Sequence, residues 1–120
     1  MATKPFILTA EDRVRLTNRV RNELKEGRQN AIRGKDLAIR LGQNDDRKIR
    51  LIIRELIATG APIASSVSEP MGFYIIANGH EAHDYIKVLM ARIKEDSARL
   101  NDFKKAAASL FSIPEQSSLF

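Results

Sequence analysis

Two helical stretches stand back to back in this chain with three residues, Gly42, Gln43 and Asn44, between them, and no other feature narrows the choice of fold as much. The first, G-K-D-L-A-I-R-L-G over 34–42, sets Leu37 and Leu41 one turn apart, and the small Ala38 lets a neighbouring helix approach closely. Gly42 is positioned to close it, because a glycine just past a helix end takes a left-handed conformation at no steric cost. The second, Asp45 to Thr59, carries Ile49, Ile52, Ile53 and Leu56 at the i, i+3, i+4, i+7 spacing of a single apolar stripe. Two helices joined this tightly must cross at a turn and share one core.

The flanking segments complete a domain. Thr9, with Asp12 three residues on, is an N-cap signal for an opening helix reaching about Glu26, with Leu16, Val20 and Leu24 on one side and Gly27 as its stop. Residues Asn30 to Arg33 read as a short extended piece that pairs with a later hairpin. Asn44 is placed to cap the helix from Asp45, and Gly60 ends that helix. From Ala61 the composition turns β-permissive: A-P-I-A-S-S-V-S, a turn at E-P-M-G, then the apolar strand F-Y-I-I. Alternation puts Phe73 and Ile75 inside, with Tyr74 and Ile76 partly exposed. The expected fold class is mainly α with a small β-hairpin wing. It is a winged helix-turn-helix over 1–80, followed by a long C-terminal helix over 81–111 and a flexible tail over 112–120.

From Glu81 to Phe111 there is neither proline nor glycine, so the helix extends about 45 Å. Ile86, Leu89, Ile93, Leu100, Phe103, Ala107 and Leu110 follow alternating three- and four-residue steps, interrupted by Asp96. That seam suits a partner helix and hence a homodimer. The other reading has the first half packing on the winged domain and the second half fraying.

Composition excludes several functions. With 120 residues the chain can bury one sizeable core, and with no cysteine it has no disulfide framework and no thiolate metal site. His80 and His83, with Glu81 or Asp84 nearby, are an ordinary surface pair at a helix start, so no metal site is expected. No glycine-framed serine, phosphate loop or distinctive carboxylate pair occurs. No catalytic residue, enzyme activity or cofactor is therefore expected, and Tyr85, Met90 and Phe103 read as packing groups. The opening M-A-T-K-P-F-I-L is too short an apolar run for a secretory signal, and no stretch is long enough for a membrane span, so a cytoplasmic, nucleoid-associated protein without membrane partners is expected. Net charge is +5, and residues 27–60 hold eight basic against four acidic side chains. A basic patch on one element suits a polyanion, although a charged face also serves solubility alone.

Within the second helix, Arg47, Arg50 and Arg54 fall in a sector of roughly 60°, away from the isoleucines. Arginine both neutralises phosphate and reads guanine through O6 and N7, which makes this face a candidate reader of double-stranded DNA. Lys35, Gln43, Asn44 and Lys48 add donors near the same end, and Leu51 can meet a thymine methyl. Asp45 and Asp46 work against this: they stabilise the helix start, and Asp46 is spaced to pair with Arg50. The wing sequence S-S-V-S-E-P-M-G carries no lysine or arginine, so it cannot clamp phosphate by its own charge.

Residues Ala31 to Ile76 resemble the winged helix-turn-helix of the biotin-operon repressor type, through G-K-D-L-A-I-R-L-G, then R-K-I-R-L-I-I-R-E-L-I-A-T-G-A-P-I, then G-F-Y-I in order. Similar small proteins with a long C-terminal helix are found in phages and prophages. The resemblance implies that the helix from Asp45 is a recognition helix with Arg47 facing DNA, in a transcriptional regulator or replication-associated factor. The last five residues, Q-S-S-L-F, resemble the Q-x-x-L-F peptide that docks bacterial replication proteins on the sliding clamp, with Gln116, Leu119 and Phe120 as anchors and Ser117 where an apolar residue is often found. That resemblance implies an alternative role as an adaptor that recruits or inhibits a host replication protein. A hydrophobic tail end folding back on its own domain accounts for the same residues.

Overall fold

The computed structural model describes residues 9–111. In chain order they form α1 (Ala10–Glu23), one 3-10 turn (Arg28–Asn30), α2 (Gly34–Arg40), α3 (Arg47–Ala58), β1 (Ile63–Ser66), β2 (Gly72–Ile75) and α4 (Gly79–Leu110). The class is mainly helical, with a two-stranded antiparallel hairpin and a long C-terminal helix. Contacts divide the chain into two compact units, one ending at Ala82 and the other beginning at His83.

The first unit is built on three apolar stripes. Thr9 Oγ1 accepts the N–H of Asp12 at 3.1 Å and starts α1, which buries Leu16 and Val20, with Leu24 beyond its end. Leu37, Ala38 and Leu41 come from α2 and its cap, and Ile49, Ile52, Ile53 and Leu56 from α3. Each fully buried leucine or isoleucine contributes roughly 1.5–3 kcal/mol before chain entropy is charged against it, so the α3 stripe dominates this core. An ion pair between Arg13 and Glu55 links α1 to α3, and Arg40 approaches Glu23 at 3.7 Å between α2 and α1.

The turn between α2 and α3 closes as a Schellman motif. Gly42, at φ +71, donates to Ile39 O at 3.1 Å, and Gln43 N–H reaches Ala38 O at 2.9 Å. The same pattern ends α3, with Gly60 donating to Ile57 O at 3.0 Å and Ala61 to Leu56 O at 2.9 Å. Asn44 does not cap α3 as the sequence suggests. The helix begins at Arg47 with Asp46 at the N-cap, and Asp45 Oδ1 takes the Arg47 N–H at 3.0 Å. A carboxylate two residues ahead of a free N–H makes this Asx turn readily, leaving Asn44 exposed in the loop.

The opening helix stops at Glu23 rather than Glu26 because the chain after it joins the hairpin. Ile75 N–H donates to Lys25 O and Gly27 N–H to Ile75 O, both at 2.9 Å. Ile32 and Phe73 exchange two backbone bonds of 2.9 and 2.8 Å, so the piece before α2 pairs with β2 as the sequence indicates, although Asn30 belongs to the 3-10 turn and is not extended. On its other edge β2 pairs with β1 in the register Ile63↔Ile75, Ala64↔Tyr74, Ser65↔Phe73, Ser66↔Gly72.

Phe73 and Ile75 pack against the core cluster but stay partly exposed, and the buried residue of β2 is Tyr74. Its register partner Ala64 is 1% exposed. Both faces of the hairpin are covered, so simple alternation does not rank them; the small Ala64 side chain leaves space for the Tyr74 ring.

At the start of α4, Asn78 Oδ1 accepts the Glu81 N–H at 2.9 Å. The Glu81 carboxylate turns back to take the N–H groups of Ala77 and Arg28, each at 2.9 Å. This is close to a capping box with one extra strap to the 3-10 turn. The two backbone donors, Arg28 first, hold the Glu81 carboxyl below its ordinary value. No residue of α4 is buried.

Candidate nucleic-acid interface

The exposed side of α3 is a consequence of its buried side. Once Ile49, Ile52, Ile53 and Leu56 face the core, residues three and four apart on the opposite side share one solvent face. Arg47, Arg50 and Arg54 are all exposed there, and with Leu51, Ile57 and Phe73 they line one shallow hollow against the base of the hairpin.

The three arginines differ in what they already touch. Arg50 donates from Nε to Asp46 Oδ2 at 2.7 Å, and its guanidinium carbon lies 5.4 Å from the centre of the Phe73 ring. The Arg50 bond holds the Asp46 carboxyl below its ordinary value, and the nearby Lys35 charge acts in the same direction. A Cβ on Gly34, the first residue of α2, would come within 2.9 Å of Asp46 Oδ2 and 3.1 Å of Arg50 Nη2. The pair therefore sits over the start of α2 and against β2, and joins three elements. The Arg54 side chain forms no ion pair or hydrogen bond among the described residues.

A second hollow, which shares Arg50 and Phe73 with the first, lies between α2 and the hairpin. Arg33, Lys35 and Arg50 form its basic side, and Ser65, Ser66 and Phe73 its strand side. Lys35 is exposed, whereas Arg33 is engaged with Asp36 at 3.1 Å. Gln43 and Lys48 lie elsewhere, in a hollow with Arg15 and Arg19 of α1. The proposed donors thus separate: Arg47, Arg50 and Arg54 line one hollow, Lys35 lies in a second that shares Arg50 and Phe73 with the first, Gln43 and Lys48 border α1, and Asn44 is in the loop between helices.

Sequence reasoning missed several groups. Ser65 and Ser66 of β1 border the same hollow as Lys35, and the only sign of them was a β-permissive run. Arg15 and Arg19, spaced i, i+4 on α1, were readable as a pair but not as neighbours of Lys48. The turn between the strands has no basic residue of its own, yet Arg28 reaches it: its guanidinium donates to Ser68 Oγ and, at 3.4 Å, to Ser68 O. A positive charge therefore stands at the wing, supplied from 40 residues away.

Among the described residues no three histidine, cysteine, aspartate or glutamate side chains gather as a metal site, and no helix is long and apolar enough to cross a membrane. Gln116, Leu119 and Phe120 lie outside the described residues. Compared with known proteins, the chain matches no family model, no curated protein and no solved structure.

Proposed function

We propose that this chain binds double-stranded DNA through the exposed face of α3, as a winged helix-turn-helix of the biotin-operon repressor type, in a transcriptional regulator or replication-associated factor of a phage or prophage. The observation that carries the reading is the basic face itself. Arg47 and Arg54 are exposed on one face of a 12-residue helix, with Lys35 exposed in the neighbouring hollow that shares Arg50 with theirs. A helix of that length spans about 18 Å and fits a major groove about 12 Å wide. Arg54 and Arg47 reach base edges or phosphate, Leu51 offers an apolar contact, and Lys35 and the Arg28-bearing wing meet the backbone on the flank. Arg50 keeps the reading helix oriented against α2 and β2.

The test is titration of the full chain with labelled duplexes selected from genomic fragments, over a series of salt concentrations. Affinity that falls steeply with salt, with a log–log slope of several units, supports the reading. Binding that is undetectable or indifferent to salt refutes it.

A second reading rests on the spacing of Gln116, Leu119 and Phe120 after Pro114. In it the chain is an adaptor that holds the sliding clamp by its tail. Pull-down with clamp protein, comparing the full chain with one ending at Glu115, tests it, and equal capture by both removes it.

A further inference from the structure

We infer that α4 pairs with α4 of a second copy of this chain in antiparallel orientation, through the seam from Ile86 to Leu110, with Asp96 and Arg99 forming a reciprocal charged cluster at the centre.

The helix is unbroken over Gly79–Leu110, and its seam is open: Ile86 is 53% exposed, Ile93 65%, Phe103 68% and Leu110 74%. With Ile86 as position a of a heptad, Ile93, Leu100 and Ala107 are the further a residues, and Leu89, Asp96, Phe103 and Leu110 are d. Exposed apolar side chains on successive turns of one stripe call for a cover, and the charge in the middle of the stripe selects which cover fits.

In a parallel pair, layers are formed by identical positions, so Asp96 of one copy faces Asp96 of the other inside the seam. The flanking g-to-e contact then sets Arg99 against Lys104 of the second copy. Both contacts oppose like charges, and a carboxylate pair removed from water is costly. Antiparallel packing pairs a with d. In full overlap Ile86 meets Leu110 of the second copy, Leu89 meets Ala107, Ile93 meets Phe103, and Asp96 meets Leu100. On the side where d and g positions of both copies line up, Asp96 then lies across from Arg99 of the second copy, with an axial offset of about one residue's rise, roughly 1.5 Å. The symmetry generates the same contact twice, so two carboxylates and two guanidinium groups gather at the dyad, where each Arg99 lies nearer to Asp96 of the second copy than to its own symmetry mate, about two residues' rise away. The polar break in the stripe becomes its register mark, as a single polar core position does in other helical pairs. Arg92, also at g, falls beside Phe103 of the second copy, where a guanidinium packs well on an aromatic ring.

The inference stands apart from DNA binding, and its test uses the full chain without DNA. Sedimentation or light scattering gives the oligomeric state, with a dimer expected. The chain has no cysteine of its own, so direction is read with single substitutions Ile86→Cys and Leu110→Cys under mild oxidation. A mixture of the two is expected to give covalent dimers, whereas each alone gives none. Self-linking of Ile86→Cys overturns the orientation, and a monomer at all accessible concentrations overturns the pairing. Arg99→Asp places four acids at the dyad and is expected to raise the dimer dissociation constant by about tenfold or more. Adding Asp96→Arg restores most of the loss, and failure of that rescue refutes the charged cluster even if dimers persist.

Discussion

Arg50 donates to Asp46 at 2.7 Å across the first turn of α3, and this contact decides how the basic face is shared out. Arg50 is held by its own chain, with its guanidinium against Phe73 and Gly34 beneath it. The pair gives α3 a fixed seat on α2 and β2 and lowers the positive potential over its N-terminal end. If α3 meets DNA as proposed, stability and affinity are set against each other at Asp46.

Asp46→Asn removes the carboxylate charge and loosens Arg50. Because Arg50 is more than half exposed, the loss of stability is small, roughly 0.3–1 kcal/mol by urea denaturation near neutral pH. The Asp46 pKa is depressed in the folded protein. Its contribution is therefore complete above the unfolded value of about 3.9 and disappears as pH falls through the lower folded value. The gap between wild type and Asp46→Asn is expected to narrow below about pH 4. Duplex affinity moves the other way, rising a few-fold with a salt slope steeper by about one, since a cation is released toward phosphate.

Arg54→Ala separates function from folding. Its side chain has no ion-pair or hydrogen-bond partner among the described residues, so stability is expected to change by less than about 0.5 kcal/mol. Binding is expected to weaken by about tenfold, with the salt slope reduced by about one if the guanidinium meets phosphate. Loss of affinity for one base identity alone, with an unchanged slope, identifies a base contact instead. Unchanged affinity for all duplexes removes Arg54 from the interface.

The parts of the fold that local chemistry dictates were legible in the sequence. The Ile49, Ile52, Ile53 and Leu56 stripe, the Thr9 cap, the Gly42 stop and the hairpin each depend on residues a few positions apart, and all appear in the structure. The Asp46–Arg50 pair was legible for the same reason, since i, i+4 spacing on a helix brings side chains together. What could not be read depended on chain crossings. The early end of α1 follows from Lys25 and Gly27 pairing with Ile75, some fifty residues away in sequence. The charge at the wing comes from Arg28 for a similar reason. Tyr74 outranks Phe73 in burial because a four-residue strand with apolar groups on both faces has no pattern to break the tie.

Ile49→Ala tests whether α3 is the keystone of the first unit. Ile49 is fully buried at 0% exposure, and its deletion removes three carbons' worth of burial and leaves a cavity among the α1 and α2 side chains. A loss of roughly 2–5 kcal/mol is expected by chemical denaturation. DNA binding below the new melting transition is expected to survive, because Ile49 does not belong to the exposed face.

Two glycines with positive φ separate conformational cost from collision. Gly42 has φ +71 and nothing within 4 Å of an added Cβ, so Gly42→Ala carries only the left-handed cost of about 1–2 kcal/mol. Gly72 has φ +125, and its added Cβ would stand 2.1 Å from Ile32 O. At that distance backbone must move, and the strand that moves is the one holding Phe73 against Ile32 and beneath Arg50. Gly72→Ala is therefore expected to cost at least about 3 kcal/mol, clearly more than Gly42→Ala, when both are compared by thermal or urea unfolding. It is also expected to disturb the basic face: binding to duplex measured well below the melting transition falls for Gly72→Ala and stays near wild type for Gly42→Ala. Equal destabilisation of the two variants would mean that the close approach of β2 to residues Ile32 and Arg33 does not organise the hairpin.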